Sequence, residues 1–138
     1  MRTYVDTSVL LRIILREAGA LDDLRAQGGW VSSELLDVES RRTIDRLRLR
    51  GSVTAAEASE RLAAIARWLE AIDLVLLRPV VLARAGEPLP VSLGTLDAIH
   101  LATALVWRDR SGEPLLVATH DDALGQAARS FGFAVIGC

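Results

Sequence analysis

Lysine is missing from this chain of 138 residues, whose 16 basic side chains are all arginine. The absence excludes a P-loop lysine, a Schiff-base lysine and a receiver-domain lysine. Cysteine is almost as scarce. Cys138 stands alone at the last position, which excludes an internal disulfide framework and a cysteine-based zinc site. Aromatics amount to three Trp, one Tyr and two Phe, with no sign of a base-stacking platform, so Trp30, Trp68 and Trp107 read as packing residues. No apolar run reaches the length of about 18 residues that a membrane helix needs. The opening MRTYVDTSVLL turns polar at Asp6 before a signal-peptide core can form, so the expected location is the cytoplasm.

What is present fits an ordinary globular domain. The chain is 51% hydrophobic and 25% charged, and its length suits one domain, residues 1–138. A chain of this size buries about 70% of its unfolded surface. The arginine and alanine bias is also what a GC-rich genome produces. A net charge of −2 argues neither for nor against a nucleic-acid partner.

Local signals predict strands separated by helices. Thr3–Val5 is a short β-prone run, and Val9–Leu15 reads as a helix packed on the sheet, with Leu21 and Leu24 continuing its period to a turn at Gly28-Gly29. Trp30-Val31 reads as a short extended link, and Ser32 or Ser33 as the cap of a helix running to about Arg50. Thr54-Ala55-Ala56-Glu57 matches a capping box, with Leu62, Ile65, Ala66 and Leu69 at helical spacing behind it. Leu74–Leu77 is a strand candidate, Pro79 suits the first turn of a short helix to Ala85, and residues 86–94 read as a loop. A helix from Leu96 to Trp107, with Thr95 as its cap, is apolar on nearly every side and is expected to be buried. Leu115–Ala118, Asp121–Ser130 and Phe133–Ile136 complete the series as strand, helix and strand. The alternation predicts an α/β fold with a parallel sheet.

Four acids stand out in that frame. Asp6 and Asp121 fall just beyond strands, at the end of a parallel sheet where ligands bind. Asp97 lies in the first turn of the buried helix, and Glu39 borders the apolar arc of its own helix. Each has a structural explanation: Asp6 and Asp121 can cap helices, Asp97 suits a helix dipole, and Glu39 can pair with Arg42 or Thr43. Together they pose an electrostatic problem. Two carboxylates about 4 Å apart repel by about 4 kcal/mol at an effective dielectric of 20, so a cluster calls for a cation. Oxygen ligands without cysteine or paired histidine select Mg2+ or Mn2+, which can activate water against a phosphodiester.

The segments that carry these acids resemble a known family. Tyr4-Val5-Asp6-Thr7-Ser8-Val9-Leu10-Leu11 is similar to the opening of a PIN domain, and Ser32-Ser33 with Glu39 to its second acidic element. Asp97-Ala98-Ile99-His100-Leu101-Ala102-Thr103-Ala104 resembles the third, and Ala118-Thr119-His120-Asp121-Asp122-Ala123-Leu124 the fourth. At this length the chain resembles the ribonuclease toxin of a VapBC-type (type II) toxin–antitoxin pair. The resemblance implies a central, mainly parallel β-sheet flanked by α-helices. It implies Mg2+-dependent endonucleolytic cleavage of RNA, a homodimer, and inhibition by a small antitoxin. Carried over by position, the catalytic and metal-site acids are Asp6, Glu39, Asp97 and Asp121, supported by Thr7, Ser8 and Thr119. The Thr-x-Asp pattern favours Asp121 over its neighbour Asp122 as the fourth acid.

Other residues carry weaker signals. His100 shares a helix face with Asp97 and reads as a packed, hydrogen-bonded histidine; His120 reads as incidental and pointing away from the sheet end. Among Arg41, Arg42, Arg46, Arg48 and Arg50, Arg42 and Arg46 lie toward Glu39, where they can grip RNA phosphates; the alternative is a solvated face. Leu10, Leu11, Ile13 and Ile14 offer more apolar surface than one core face needs, so core packing and a partner contact are both open. Three competing functions remain to be weighed. A phosphohydrolase with Asp6 as nucleophile would need a second Asp where Ser8 stands, and a lysine. A metal-free PIN-fold binding module would lack some of the four acids. A PIN nuclease of RNA processing or DNA repair would share them.

Overall fold

The computed structural model describes residues 1–24 and 28–138. Among them are five strands and six helices. The strands are β1 (Arg2–Val5), β2 (Trp30–Ser33), β3 (Ile72–Val75), β4 (Leu115–Ala118) and β5 (Ala134–Ile136). The helices are α1 (Thr7–Ile14), α2 (Leu35–Leu49), α3 (Ala55–Glu70), α4 (Pro79–Ala85), α5 (Thr95–Ser111) and α6 (Asp122–Ser130). The sheet order is β3-β2-β1-β4-β5, and every pairing is parallel.

Alternation along the strands sends side chains into two apolar layers. Val5 and Trp30 enter the layer that α1, α2 and α3 cover through Val9, Leu10, Leu36, Ile44 and Ile65. Their neighbours Tyr4 and Val31 enter the opposite layer, with Leu101, Leu105 and Leu124 of α5 and α6. Leu36, Ser40 and Ile44 repeat every four residues and turn one stripe of α2 inward. Thr54 and Glu57 close the expected capping box on α3. Pro79 opens α4, and Gly112 ends α5 in the left-handed conformation at φ 69. No described helix is long and apolar enough to cross a membrane.

Several boundaries differ from the sequence reading. The expected link at Trp30-Val31 is an interior strand, β2, between β1 and β3. Its polar half misleads because Ser32 and Ser33 are both fully buried, with Ser32 Oγ donating to the Val5 carbonyl at 2.6 Å. Neither serine is the cap of α2. Glu34 holds that position, although Ser33 Oγ accepts from Leu35 N at 3.1 Å. The third strand ends at Val75 rather than Leu77, because Glu34 reaches across and accepts the Leu77 N–H at 2.6 Å. Gly94, not Thr95, caps α5, which runs on to Ser111. Asp121 is the cap of α6 rather than its first residue, and β5 starts at Ala134. After α1 the chain turns at Arg16, with φ 55. The helical period read through Leu21 does not continue, because α1 ends at Ile14 and residues 15–23 form turns and irregular chain; the part of that reading on residues 25–27 lies outside the described ones.

Candidate active site

The chain leaves β1 toward β2 on one side of the sheet and later returns to pair β4 on the other. That reversal opens a crevice beyond the carboxyl ends of β1 and β4. A cleft lies there, lined by Asp6, Thr7, Ser8, Leu11, Leu35, Val38, Glu39, Arg42, Thr43, Arg46, Leu96, Asp97 and Asp121. The structure thus brings together all four predicted acids, both predicted arginines, Thr7 and Ser8. Thr119 sits beneath, fully buried. Asp122 is exposed and does not line the cleft.

Asp6 follows the last residue of β1 and is 4% exposed. It occupies the N-cap of α1, but its side chain caps no backbone N–H of the helix. Its Oδ2 accepts from Ser8 Oγ at 2.6 Å and from Thr119 Oγ1 at 2.8 Å. Those hydroxyls are themselves held by backbone donors. His120 N donates to Ser8 Oγ and Asp121 N to Thr119 Oγ1, both at 3.0 Å. The loop after β4 is therefore tied to the start of α1 through Asp6. Gly137 closes the far side of that loop. At φ +101 it lies so close to the Thr119 carbonyl that any Cβ would collide. His120 Nδ1 bonds the Gly137 carbonyl at 2.8 Å, so this histidine helps hold the chain end, and its N–H joins the hydroxyl lattice.

Glu39 projects from α2. Its Oε1 accepts from Thr7 Oγ1 at 2.8 Å and from His100 Nε2 at 2.6 Å. Burial pushes its carboxyl up, but the His100 bond and charge, with Thr7, outweigh burial and leave it below its usual value. His100 is 1% exposed. Burial disfavours its charged form, but the Glu39 bond and the charges of Asp6, Glu39 and Asp97 raise it above the ordinary histidine value. The expectation of a packed, hydrogen-bonded histidine is met.

Asp97 lies in the first turn of α5, and no side-chain hydrogen bond reaches it among the described residues. Its carboxyl is held above its usual value, first by burial and then by the negative charges of Asp121, Asp6 and Glu39, against an opposing pull from His100. Asp121 Oδ1 accepts the Leu124 N–H at 2.8 Å, so this acid does cap α6 while lining the cleft. Among the described residues, no three acidic, histidine or cysteine side chains converge into a preformed metal-ligand set. The donor chemistry still suits a hard divalent cation: four carboxylates, no thiol, and one acid whose charge lacks compensation.

The arginines of α2 divide. Arg41 pairs with Asp37 and Arg48 with Asp45, whereas Arg42 and Arg46 line the cleft. Arg42 also pairs with Asp45 at 2.9 Å, and Arg46 donates to Thr43 Oγ1 at 3.0 Å. Leu10 and Ile14 are core, Ile13 packs against it, and Leu11 lines the cleft. Trp30 packs on Trp68 with centroids 5.0 Å apart, and Trp107 lies under Arg2. Sequence reasoning missed two features. One is the apolar rim that Leu35, Val38 and Leu96 form beside Leu11, whose exposed members Val38 and Leu96 carry no local signal. The other is Tyr4, whose hydroxyl lies 2.7 Å from His100 Nδ1 across 96 residues of sequence.

Comparison with protein families matches the PIN domain over residues 3–130. Ribonuclease VapC46 of Mycobacterium tuberculosis (strain ATCC 25618 / H37Rv) is 37% identical over 137 residues, covering 96% of this chain and 95% of that protein. Ribonuclease VapC35 of Mycobacterium tuberculosis (strain CDC 1551 / Oshkosh) is 32% identical over 139 residues, covering 96% of this chain and 94% of that protein.

Proposed function

The chain belongs to the PIN-domain family, and from that premise we propose that it is a divalent-metal-dependent endoribonuclease, the toxin of a toxin–antitoxin pair. Residues 1–138 act as one domain, since β5 lies beyond the family match yet completes the sheet against β4. The relatives' names, both ribonucleases, support the substrate class. The observation that carries the reading is the cleft itself. Four acids from four separate stretches of chain line it beside two arginines.

Asp6, Asp97 and Asp121, with Glu39, would hold Mg2+ or Mn2+. A bound ion of this kind lowers the pKa of an attacking water and stabilises charge on the leaving oxygen. The protein's own part is placement. Ser8 and Thr119 fix the Asp6 carboxylate, and Thr7 fixes that of Glu39. Arg42 and Arg46 stand where they can bind the phosphates flanking the scissile bond. Eighteen acids less these four leave 14 against 16 arginines, so the surface outside the cluster tolerates a polyanion. The protein works in the cytoplasm as a homodimer, and a small antitoxin protein restrains it by covering the cleft.

The test incubates purified, partner-free protein with total cellular RNA in Mg2+, in EDTA, and as the Asp97→Asn variant in Mg2+. Discrete fragments are expected only from wild type with Mg2+. The variant is expected to lose more than about a hundredfold in rate, since residues merely supporting a metal ligand already cost 10- to 100-fold. Intact RNA in every arm would sink the ribonuclease reading, and equal cleavage by the variant would sink the site assignment.

A further inference from the structure

Tyr4 and His100 are each 1% exposed, and neither lines the cleft. Phenylalanine would fill the space of Tyr4 against Val31 and Leu101 without burying a hydroxyl. The hydroxyl instead meets His100 Nδ1 at 2.7 Å, and the opposite ring nitrogen meets Glu39 Oε1 at 2.6 Å. The Thr7 hydroxyl donates to that same oxygen at 2.8 Å. An ionised carboxylate only accepts, so the His100 Nε2 carries the hydrogen between them. The tyrosine hydroxyl can donate to a neutral ring at Nδ1 or accept from a charged one, so the ring keeps its orientation either way. Glu39 Oε2 receives no hydrogen bond among the described residues.

We propose that Tyr4 and His100 are positioning residues that pin Glu39 Oε1 into the protein and leave Oε2 as its working oxygen in the cleft. The inference rests on the ribonuclease reading of that cleft. A glutamate on a helix flank has three side-chain torsions to spend, and its carboxylate would otherwise swing among rotamers. Two donors on one oxygen remove that freedom and set the direction of the other. The partners come from β1, α1 and α5, so the orientation is imposed by three elements at once.

The test measures initial rates in Mg2+ on an RNA fragment that wild type cleaves. Tyr4→Phe is expected to lower kcat about tenfold with KM held, and to lower the melting temperature because the buried His100 Nδ1 loses its partner. In a Glu39→Gln background the same change is expected to cost much less, because the hydroxyl acts chiefly through that carboxylate, although His100 Nε2 also lies 3.7 Å from Asp6 Oδ1. His100→Gln, whose amide can still donate toward Glu39, is expected to retain activity that His100→Leu loses. Full activity of Tyr4→Phe, or an equal loss in both backgrounds, would overturn the proposal. Proton NMR of metal-free, imidazole-labelled protein reads the pinning without catalysis. A downfield His100 Nε2–H resonance is expected to move upfield in Glu39→Gln, whose neutral amide oxygen is the weaker acceptor, and to shift in Tyr4→Phe. Should wild type cleave no RNA, the ribonuclease reading fails on its own. The NMR arm still decides the relay, which a resonance indifferent to both substitutions would refute.

Discussion

Asp6 and Glu39 each reach the cleft with one carboxylate oxygen tied by two side-chain donors, while Asp97 and Asp121 reach it from the starts of α5 and α6. The first pair is oriented by groups from distant elements, with Ser8, two residues along, adding a local tie on Asp6. The second is favoured by the positive end of a helix, with a single cap bond on Asp121 and, on Asp97, the charge of His100 but no side-chain bond. The contrast shows two ways of keeping a negative charge at one sheet end. The tied acids define geometry before any ligand arrives. The others keep freedom to adjust, and Asp97 carries the electrostatic cost of waiting.

Substitution should expose this difference. Asp6→Asn removes a charge whose position two hydroxyls define, and a loss of cleavage beyond about a hundredfold is expected. Asp121→Asn keeps a cap acceptor for Leu124 N and should lose only about tenfold. Parallel rate measurements decide it, and equal losses would erase the distinction between Asp6 and Asp121.

Thr119→Val attacks the tie itself. It removes the donor to Asp6 Oδ2 and orphans the Asp121 N–H. A loss of about 10- to 100-fold in cleavage is expected. Denaturant unfolding should show a fall of about 1 kcal/mol from the part-buried donor left unpaired. An unchanged rate would mean that Asp6 keeps its place without the hydroxyl.

For Asp97 the expected change is in stability, with a sign opposite to that of most site mutations. Its folded-state carboxyl titrates above the ordinary value. Between the two values the folded protein holds the extra proton, so stability falls as pH rises through that window. Asp97→Asn removes the penalty. In EDTA at neutral pH the variant should melt above wild type, and the gap should close below the ordinary carboxylate range near about pH 4. Thermal melts at both pH values check this, and a gap that persists in acid would refute the electrostatic account. Saturating Mg2+ should narrow the gap by stabilising wild type alone.

The smallest effect is expected outside the cleft. Thr54→Ala opens the capping box of α3 and should cost about 1 kcal/mol in denaturant unfolding, with cleavage unchanged. A changed rate would tie α3 to the site.

How far the sequence could be read depended on the range of the signal. The capping box at Thr54 and Glu57, the proline opening α4 and the apolar character of α5 act within a few residues of themselves, and each stands as read. Strand β2 escaped because its two serines are polar by composition but buried by their neighbours. Among the arginines of α2, a helical wheel placed Arg42 and Arg46 near Glu39, but only the packed helix shows which ones meet the cleft.

The sequence by itself determined the chemistry available: carboxylates beyond strand ends, arginine as its only basic side chain apart from two histidines, and no lysine. These are properties of residue type, and no fold can change them. The tertiary structure alone decided which oxygen of each acid is tied. The bond between Tyr4 and His100 spans 96 residues, and that between Thr119 and Asp6 spans 113. Contacts at such separations exist only after the sheet has assembled β1 beside β4 and α5 has packed over them. No local pattern encodes their direction.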